Sequence, residues 1–194
     1  MSDPPPALDA EVRRLLAAGD ADAAATAVIE QLGPGVLRYL RSLLRDEEDA
    51  GDAFSAFAEH VWRGLPGFRW DASLRTWSYR IGWNAAVNLK QEAWRKRRQR
   101  LDTGAASRLA DSIRTKSCVR DARQVEALER LRRALTPEEQ SLLALRVDQG
   151  FAWGDIAEIL SAEGALVHAN TVMKRFERLK AKLGELARAE GLVE

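Results

Sequence analysis

The chain has 194 residues, of which 46% are hydrophobic, and 30 lysines and arginines against 29 aspartates and glutamates. This composition is typical of a folded protein of one or two domains and argues against disorder. A single cysteine, Cys118, excludes an intramolecular disulfide framework and a multi-cysteine metal site. No apolar stretch approaches the about 18 residues of a membrane span, and the first residues do not resemble a secretory signal. We therefore expect a cytoplasmic protein without membrane insertion.

The net charge of +1 hides a strong segregation of charge along the chain. Residues 1–71 carry a net charge of −6, residues 72–100 carry +7, and residues 136–170 carry −5. The basic blocks favour contact with phosphate groups, and the acidic blocks favour contact with a basic protein surface. Solvated helix faces would give the same alternation, so charge alone leaves both interpretations open.

The first half of the chain is predicted to be helical throughout. A helix over Leu8–Ala18 is predicted to end at Gly19, and Asp20 can cap the next helix. The sequence Gly33-Pro34-Gly35 is predicted to interrupt or kink that second helix, and an apolar stripe resumes at Val36.

Two more helices follow, separated by a short loop. Asp46–Asp49 places four acids at the start of the third helix, where the helix dipole favours them, and Gly64–Gly67 ends it. The loop Phe68–Ala72 precedes Ser73, which can cap a fourth helix. This helix is predicted to end in the basic run Trp94–Arg100.

The second half predicts a linker and a smaller helical domain. Thr136–Glu139 has the sequence of a capping box, and Trp153–Leu160 is a short amphipathic helix. A long connection over 161–169 leads to Asn170, which is predicted to cap the last helix, Thr171 to about Ala189. No segment alternates like a strand. We therefore predict an all-α protein with an N-terminal domain over residues 1–100, a linker over 101–126 and a C-terminal domain over 127–194.

The last helix carries an apolar stripe beside a polar, cationic face. At about 100° per residue, the polar side chains fall within an arc of about 100°. A short helix followed by a basic amphipathic helix is the pattern of a helix-turn-helix, whose second helix enters the major groove of DNA. An ordinary surface helix would show the same amphipathicity. The residues on this arc are Thr171, Lys174, Arg175, Arg178 and Lys182.

Five of the six tryptophans lie between Trp62 and Trp94, interleaved with arginines and lysines. Aromatic rings among cations suit single-stranded nucleic acid, because rings stack on exposed bases while cations hold the backbone. Helical spacing predicts that Trp62 and Trp77 are core residues. Trp70, in the loop, and Trp83, on a second stripe, are the better candidates for contact with bases.

At this point the chain resembles the extracytoplasmic-function (ECF, group IV) sigma factors of bacterial RNA polymerase. The resemblance depends on the order and spacing of several stretches rather than on a single motif, and it covers most of the chain except the linker and the termini. The stretches are Leu15–Asp46, Asp49–Leu65, Phe68–Asn84, Leu135–Leu160 and Thr171–Leu183.

The resemblance implies a function without catalysis, in which the protein directs the polymerase to promoters. The first domain would bind core RNA polymerase and the promoter −10 element, and the helix-turn-helix would bind the −35 element. The loop Phe68–Ser73 would hold a flipped base, and the linker would thread through the polymerase. An anti-sigma factor is a plausible further partner under this resemblance.

The resemblance also implies roles for individual residues. The polymerase-binding residues would be Asp49, Asp52, Ser55, Trp62 and Arg63. The −10 region would be contacted by Arg69, Trp70, Ser73, Arg75, Trp77, Arg80, Trp83 and Asn84. The −35 region would be contacted by Asn170, Thr171, Lys174, Arg175, Arg178 and Lys182.

Several positions depart from the family pattern. Ser55-Ala56 stands where Gln-Glu is usual, and Ser78 stands where leucine is usual. Trp83 replaces a common basic residue, and Asn88 replaces a common acid. The connection after Leu160 is longer than the family's usual turn by roughly five residues.

Three other classes of protein remain to be compared with this interpretation. An enzyme is not indicated, because no phosphate-binding loop, dinucleotide-binding glycine pattern or zinc-protease motif occurs, and His60 and His168 are isolated. No catalytic residue, cofactor or metal site is therefore predicted. An autonomous helix-turn-helix regulator would bind duplex DNA tightly without the polymerase. A structural helical protein would explain the periodicity but not the two basic surfaces.

Overall fold

The computed structural model describes residues 6–44, 46–99, 131, 134–161 and 166–189. Over these residues the chain is helical and contains no strand, as the all-α prediction requires. The predicted linker over 101–126, with Cys118, lies outside the described residues, as do the side chains of 91–99. The helices are α1 (Pro6–Ala17), α2 (Ala21–Leu44), α3 (Glu47–Gly64), α4 (Leu74–Gln99), α5 (Pro137–Leu143), α6 (Trp153–Leu160) and α7 (Ala169–Ala189).

The predicted signals at the end of α1 and at the starts of α2 and α3 are confirmed. Gly19 follows α1 with a φ of 78°, a conformation that glycine adopts without steric cost. Asp20 accepts a hydrogen bond from the Ala23 amide at 3.0 Å, and Asp46 accepts from the amides of Glu48 and Asp49. These carboxylates satisfy amide groups that have no partner within the helix, so they fix where α2 and α3 begin.

The predicted interruption at Gly33-Pro34-Gly35 is wrong, because α2 continues through Pro34 to Leu44. The two glycines do not break the helix but allow neighbouring side chains to pack closely against it. A Cβ atom at Gly33 would lie 3.2 Å from the Phe54 ring, and one at Gly35 would lie 2.7 Å from the Tyr79 hydroxyl oxygen. Glycine therefore lets α2 approach α3 on one side and α4 on the other.

Helix α5 begins with the predicted capping box. The Glu139 amide donates to the Thr136 hydroxyl at 3.2 Å, and the Thr136 amide donates to the Glu139 carboxylate at 2.7 Å. Helix α5 then widens into a π-helical turn over Ala144–Asp148, and Gly150 follows with a φ of 69°. This turn ends the helix and directs the next residues towards α4.

Helices α6 and α7 form the predicted helix-turn-helix pair. Helix α7 begins at Ala169, where the amides of Thr171 and Val172 both donate to the His168 carbonyl. Asn170 therefore lies inside the first turn of α7, so its predicted role as the cap is wrong by a residue or two. Val172 and Leu179 are the buried residues of α7, and Phe176 packs on Trp153 with 5.3 Å between ring centroids.

Candidate nucleic-acid interface

The loop between α3 and α4 holds a stack of aromatic side chains. The Phe68 ring lies between Trp77, at 4.8 Å between centroids, and Trp70, at 5.0 Å. Trp70 has a φ of 63°, and it is the one non-glycine residue with positive φ among the described residues. The Arg13 guanidinium lies 3.9 Å from the centre of the Trp70 ring. Contacts of the indole with Phe68 and Arg13 stabilise a backbone conformation that is unfavourable for a bulky residue.

Helix α4 begins directly after this loop, and a serine caps it as predicted. The Thr76 amide donates to the Ser73 hydroxyl at 3.0 Å, and the two hydroxyl groups lie 2.9 Å apart. Because residues four apart share one helix face, this start places Arg75 and Tyr79 together at the N-terminal end of α4.

The C-terminal domain covers this face of α4. One Arg75 amino group donates to the Gln149 carbonyl at 2.6 Å, and the Tyr79 hydroxyl donates to the Gln149 side-chain oxygen at 2.6 Å. The Phe151 ring lies 4.0 Å from the Arg75 guanidinium and edge-on to Tyr79, with 4.9 Å between centroids. Phe151 is only 3% exposed. The residues Gln149–Phe151 thus fill the space above Arg75 and Tyr79.

Helix α6 adds a second, more polar contact to α4. The Thr76 hydroxyl donates to the Asp155 carboxylate at 3.2 Å. Burial raises the pKa of Glu158, an effect that Arg80 opposes and that the carboxylates of Asp155 and Asp71 reinforce. The acidic part of the C-terminal domain therefore lies against the basic helix of the N-terminal domain.

A third contact joins the two domains through their interior. The hydroxyl groups of Tyr39, on α2, and Ser141, on α5, lie 2.5 Å apart, and both side chains are buried. Burial is the main reason that the pKa of Tyr39 is raised, so the phenol stays protonated and can donate. Together the three contacts place the two domains in one closed arrangement.

Two tryptophans have the opposite burial from that predicted. Trp62 is 45% exposed rather than a core residue, and Trp83 is only 7% exposed. Trp77 is half-buried. The apolar spacing on α4 identified two stripes, but it did not show that α4 packs on more than one side. Trp83 is therefore part of the hydrophobic core in this arrangement.

The other residues assigned to the −10 region differ in exposure. Arg69 and Asn84 are exposed, and Arg80 is half-buried. Arg69 pairs with Asp71 at 3.4 Å, and both side chains are largely exposed. The loop and the start of α4 bring Arg69, Trp70 and Ser73 close to Arg75 in the chain, whereas Asn84 lies more than two turns further along α4.

On α7, two of the predicted DNA-binding cations have acidic partners within their own domain. Arg175 lies 3.3 Å from the Glu138 carboxylate, and Lys182 lies 2.8 Å from that of Glu139. Burial raises the pKa of Glu139, but the hydrogen bonds from Lys182 and from Thr136 outweigh it, so the net pKa is lowered. The other residues assigned to the −35 region are exposed; they are Asn170, Thr171, Lys174 and Arg178.

The residues assigned to polymerase binding share helix α3. Asp52, Ser55, Trp62 and Arg63 are exposed, and Asp49 is half-buried. Arg63 pairs with Glu59 one turn earlier, and the Ser55 hydroxyl donates to the Gly51 carbonyl. Within the part of the chain that the structure describes, no helix covers these side chains.

Sequence reasoning missed the residues that hold the domains together. Tyr39, Tyr79, Gln149 and Phe151 belong to no motif in the sequence. The spacing of Arg75 and Tyr79 on one helix face was a usable signal for a shared site. The contacts of Tyr39 with Ser141 and of Tyr79 with Gln149 join residues far apart in the chain, so no local pattern could reveal them.

The described residues contain no group of His, Cys, Asp and Glu side chains arranged to hold a metal ion. Among the helices of the part that the structure describes, none is both long and apolar enough to cross a bilayer. What the fold and these surfaces define is an all-α protein with two helical domains, an aromatic and cationic loop in the first and a helix-turn-helix in the second.

Comparison with known proteins identifies the family. The Sigma-70 region 2 family matches residues 28–100. The ECF RNA polymerase sigma factor SigM of Mycobacterium tuberculosis is 32% identical over 153 residues, which are 77% of this chain and 69% of SigM. The chain belongs to the ECF RNA polymerase sigma factors, which are transcription initiation factors rather than enzymes.

Solved structures support the fold. CnrH, solved in complex with the cytosolic domain of CnrY, superposes with a TM-score of 0.60 at 24% identity, over 92% of this chain and 98% of CnrH. The sigma factor RpoE of Bartonella quintana, solved with the anti-sigma factor NepR, gives a TM-score of 0.52 at 19% identity, over 82% of this chain and 94% of RpoE. At these identities the similarity concerns the fold alone.

Proposed function

We propose that this protein is a group IV sigma factor that acts in the cytoplasm by directing core RNA polymerase to promoters with −10 and −35 elements. The observation that carries the proposal is the presence of two different cationic surfaces in one chain, each of which suits a form of DNA. One is the aromatic loop with the start of α4, inside the region that matches Sigma-70 region 2. The other is the cationic arc of α7 in the helix-turn-helix.

The two surfaces suit different forms of DNA. Helix α7 presents exposed cations and a hydroxyl to the major groove, where arginine can pair with guanine and with phosphate. The aromatic loop suits unpaired bases, because stacking on a ring stabilises a base by about 1–3 kcal/mol. Extruding a base from the duplex costs a few kcal/mol, so a few such contacts can offset the opening of the −10 element.

Core polymerase is proposed to bind the N-terminal domain and to space the two domains on the promoter. The exposed face of α3, with Asp52, Trp62 and Arg63, is the proposed contact with the polymerase. In the closed arrangement the C-terminal domain covers the start of α4 and is held on the N-terminal domain by three side-chain hydrogen bonds. Polymerase binding is proposed to separate the domains and to space them for the two promoter elements. An anti-sigma factor is a proposed further partner, in line with the complex of RpoE with the anti-sigma factor NepR.

Run-off transcription tests the proposal. Purified protein is added to bacterial core polymerase on fragmented genomic DNA from its own source, and the transcripts and their start sites are mapped. We expect discrete transcripts that require the protein.

The double variant Arg175→Ala/Arg178→Ala should lose −35-dependent transcripts. Lys180→Ala is the matched control, because Lys180 lies on α7 outside the cationic arc and pairs with Glu177. Unchanged transcription by the double variant would contradict the assignment of α7.

A further inference from the structure

Arg75 and Tyr79 form a cradle around one aromatic ring. They lie one turn apart on α4, and the Phe151 ring rests on them, 4.0 Å from the guanidinium and 4.9 Å from the tyrosine ring centre. The tyrosine ring meets Phe151 at 69°, an edge-on geometry. The cradle thus offers a flat cation and an aromatic ring to the same planar group.

The surrounding polar contacts resemble those that a nucleotide makes. Arg75 donates to the Gln149 carbonyl, and Tyr79 donates to the Gln149 side-chain oxygen, both at 2.6 Å. The segment Gln149–Phe151 therefore presents one planar ring and two acceptor oxygens to α4. An unpaired nucleotide presents the same groups: a planar base that stacks on aromatic and guanidinium planes, and carbonyl or phosphate oxygens that accept hydrogen bonds.

The backbone of the C-terminal domain is shaped to deliver this ring. The π-helical turn Ala144–Asp148 and the positive φ of Gly150 direct Phe151 out of the line of α5. Arg146 donates to the Phe151 carbonyl at 2.8 Å and fixes the segment from its other side. π-helical turns within α-helices occur frequently at functional sites.

We propose that Arg75 and Tyr79 form a stacking site for one unpaired nucleobase, and that Phe151 occupies this site in the closed molecule. The inference rests on the proposed function, and it assigns to Phe151 the role of an internal competitor. A base and the Phe151 ring cannot occupy the cradle together. Single-stranded DNA therefore binds the free chain weakly until the C-terminal domain moves away.

The test measures binding of the full-length free chain to a fluorescein-labelled single strand of twelve thymidines, by fluorescence anisotropy at low salt. Two substitutions loosen the contact but keep both stacking groups of the cradle, the Arg75 guanidinium and the Tyr79 ring. Gln149→Ala and Tyr79→Phe each remove the same hydrogen bond, and each should raise the affinity by roughly 2- to 10-fold. Because they remove one shared bond, the double variant should show no further increase.

A third substitution removes half of the cradle. Arg75→Ala in the Gln149→Ala background should lower the affinity by at least about 5-fold, because stacking and charge are both lost. Arg14→Ala is the control for the loss of one positive charge, since Arg14 is exposed on α1 and has no assigned role. Phe151→Ala should raise the affinity as Gln149→Ala does. Thermal unfolding followed by circular dichroism identifies any variant that does not fold. If Phe151→Ala does not fold, Gln149→Ala alone tests the release of the ring.

Unchanged affinity in both Gln149→Ala and Tyr79→Phe would overturn the inference, as would an Arg75→Ala effect no larger than that of Arg14→Ala. Absence of binding in every variant would overturn it as well. Failure here is distinguishable from failure of the proposed function. If the chain supports promoter-specific transcription but these substitutions do not change its affinity for single-stranded DNA, the proposed function stands and the role of Phe151 as an internal competitor is refuted.

Discussion

The buried hydrogen bond between Tyr39 and Ser141 gives the sharpest prediction about how the domains hold together. The two hydroxyl groups lie 2.5 Å apart, and the side chains are 1% and 0% exposed. Removing one partner leaves the other buried and unsatisfied, which costs about 1–3 kcal/mol. Removing both leaves no orphaned group and costs less than the two single changes together.

We therefore expect Ser141→Ala and Tyr39→Phe each to lower the free energy of unfolding by about 1–3 kcal/mol. The loss of unfolding free energy in the double variant should be smaller than the sum of the two single losses by at least about 1 kcal/mol. Urea unfolding of the full chain, followed by circular dichroism, measures all three. Ser42→Ala is the control, because this more exposed serine of α2 donates only to the Tyr39 carbonyl. Single variants that match the control, or losses that simply add, would refute the reasoning.

Three further predictions concern packing and charge. Gly35→Ala should destabilise the fold by about 1–3 kcal/mol, because the added Cβ would meet the Tyr79 hydroxyl. Gly51 in α3 has open space around it, so Gly51→Ala should stabilise the fold by about 0.5–1 kcal/mol. Urea unfolding compares the two variants. Ser78→Ala should leave stability unchanged or raise it by about 1 kcal/mol in the same assay, since the buried Ser78 hydroxyl has no hydrogen-bond partner among the described residues. Because the pKa of Glu158 is raised, the folded chain binds the proton of this carboxyl group more tightly than the unfolded chain does. Protonated Glu158 therefore contributes stability that is present at low pH and is lost as the pH rises through the raised pKa. Glu158→Gln should therefore raise the melting temperature more at pH 8 than at pH 4, and an equal shift at both values would contradict this.

Local patterns predicted the helices and their ends well, because each end depends on a few neighbouring residues. The caps at Asp20, Ser73 and Thr136 all form as the sequence indicated, and the acidic segment Asp46–Asp49 lies at the start of α3 as predicted. The error at Pro34 has a different origin. Glycine and proline usually break a helix, but here the space that the glycines leave is filled by neighbouring helices, and the tertiary contacts outweigh the local preference.

The candidate site was predicted only in part. The aromatic loop and the start of α4 were found from composition and helical spacing, and the resemblance assigned them to promoter contact. The burial of Trp83 and the exposure of Trp62 were not predicted. The spacing of apolar residues along a helix does not show how many other helices pack around it. The covering of Arg75 and Tyr79 by Phe151 depends on contacts between distant parts of the chain, which the sequence pattern does not contain.

The central claim is that promoter recognition belongs to the protein and the polymerase together. The direct measurement is binding to a duplex promoter fragment, obtained from the mapped start sites, by the free chain, by core polymerase and by the two combined. The account predicts specific, salt-dependent binding by the combination, and weak, non-specific binding by either component alone. Tight, specific duplex binding by the free chain, unchanged by core polymerase, would contradict the account and would identify an autonomous helix-turn-helix regulator.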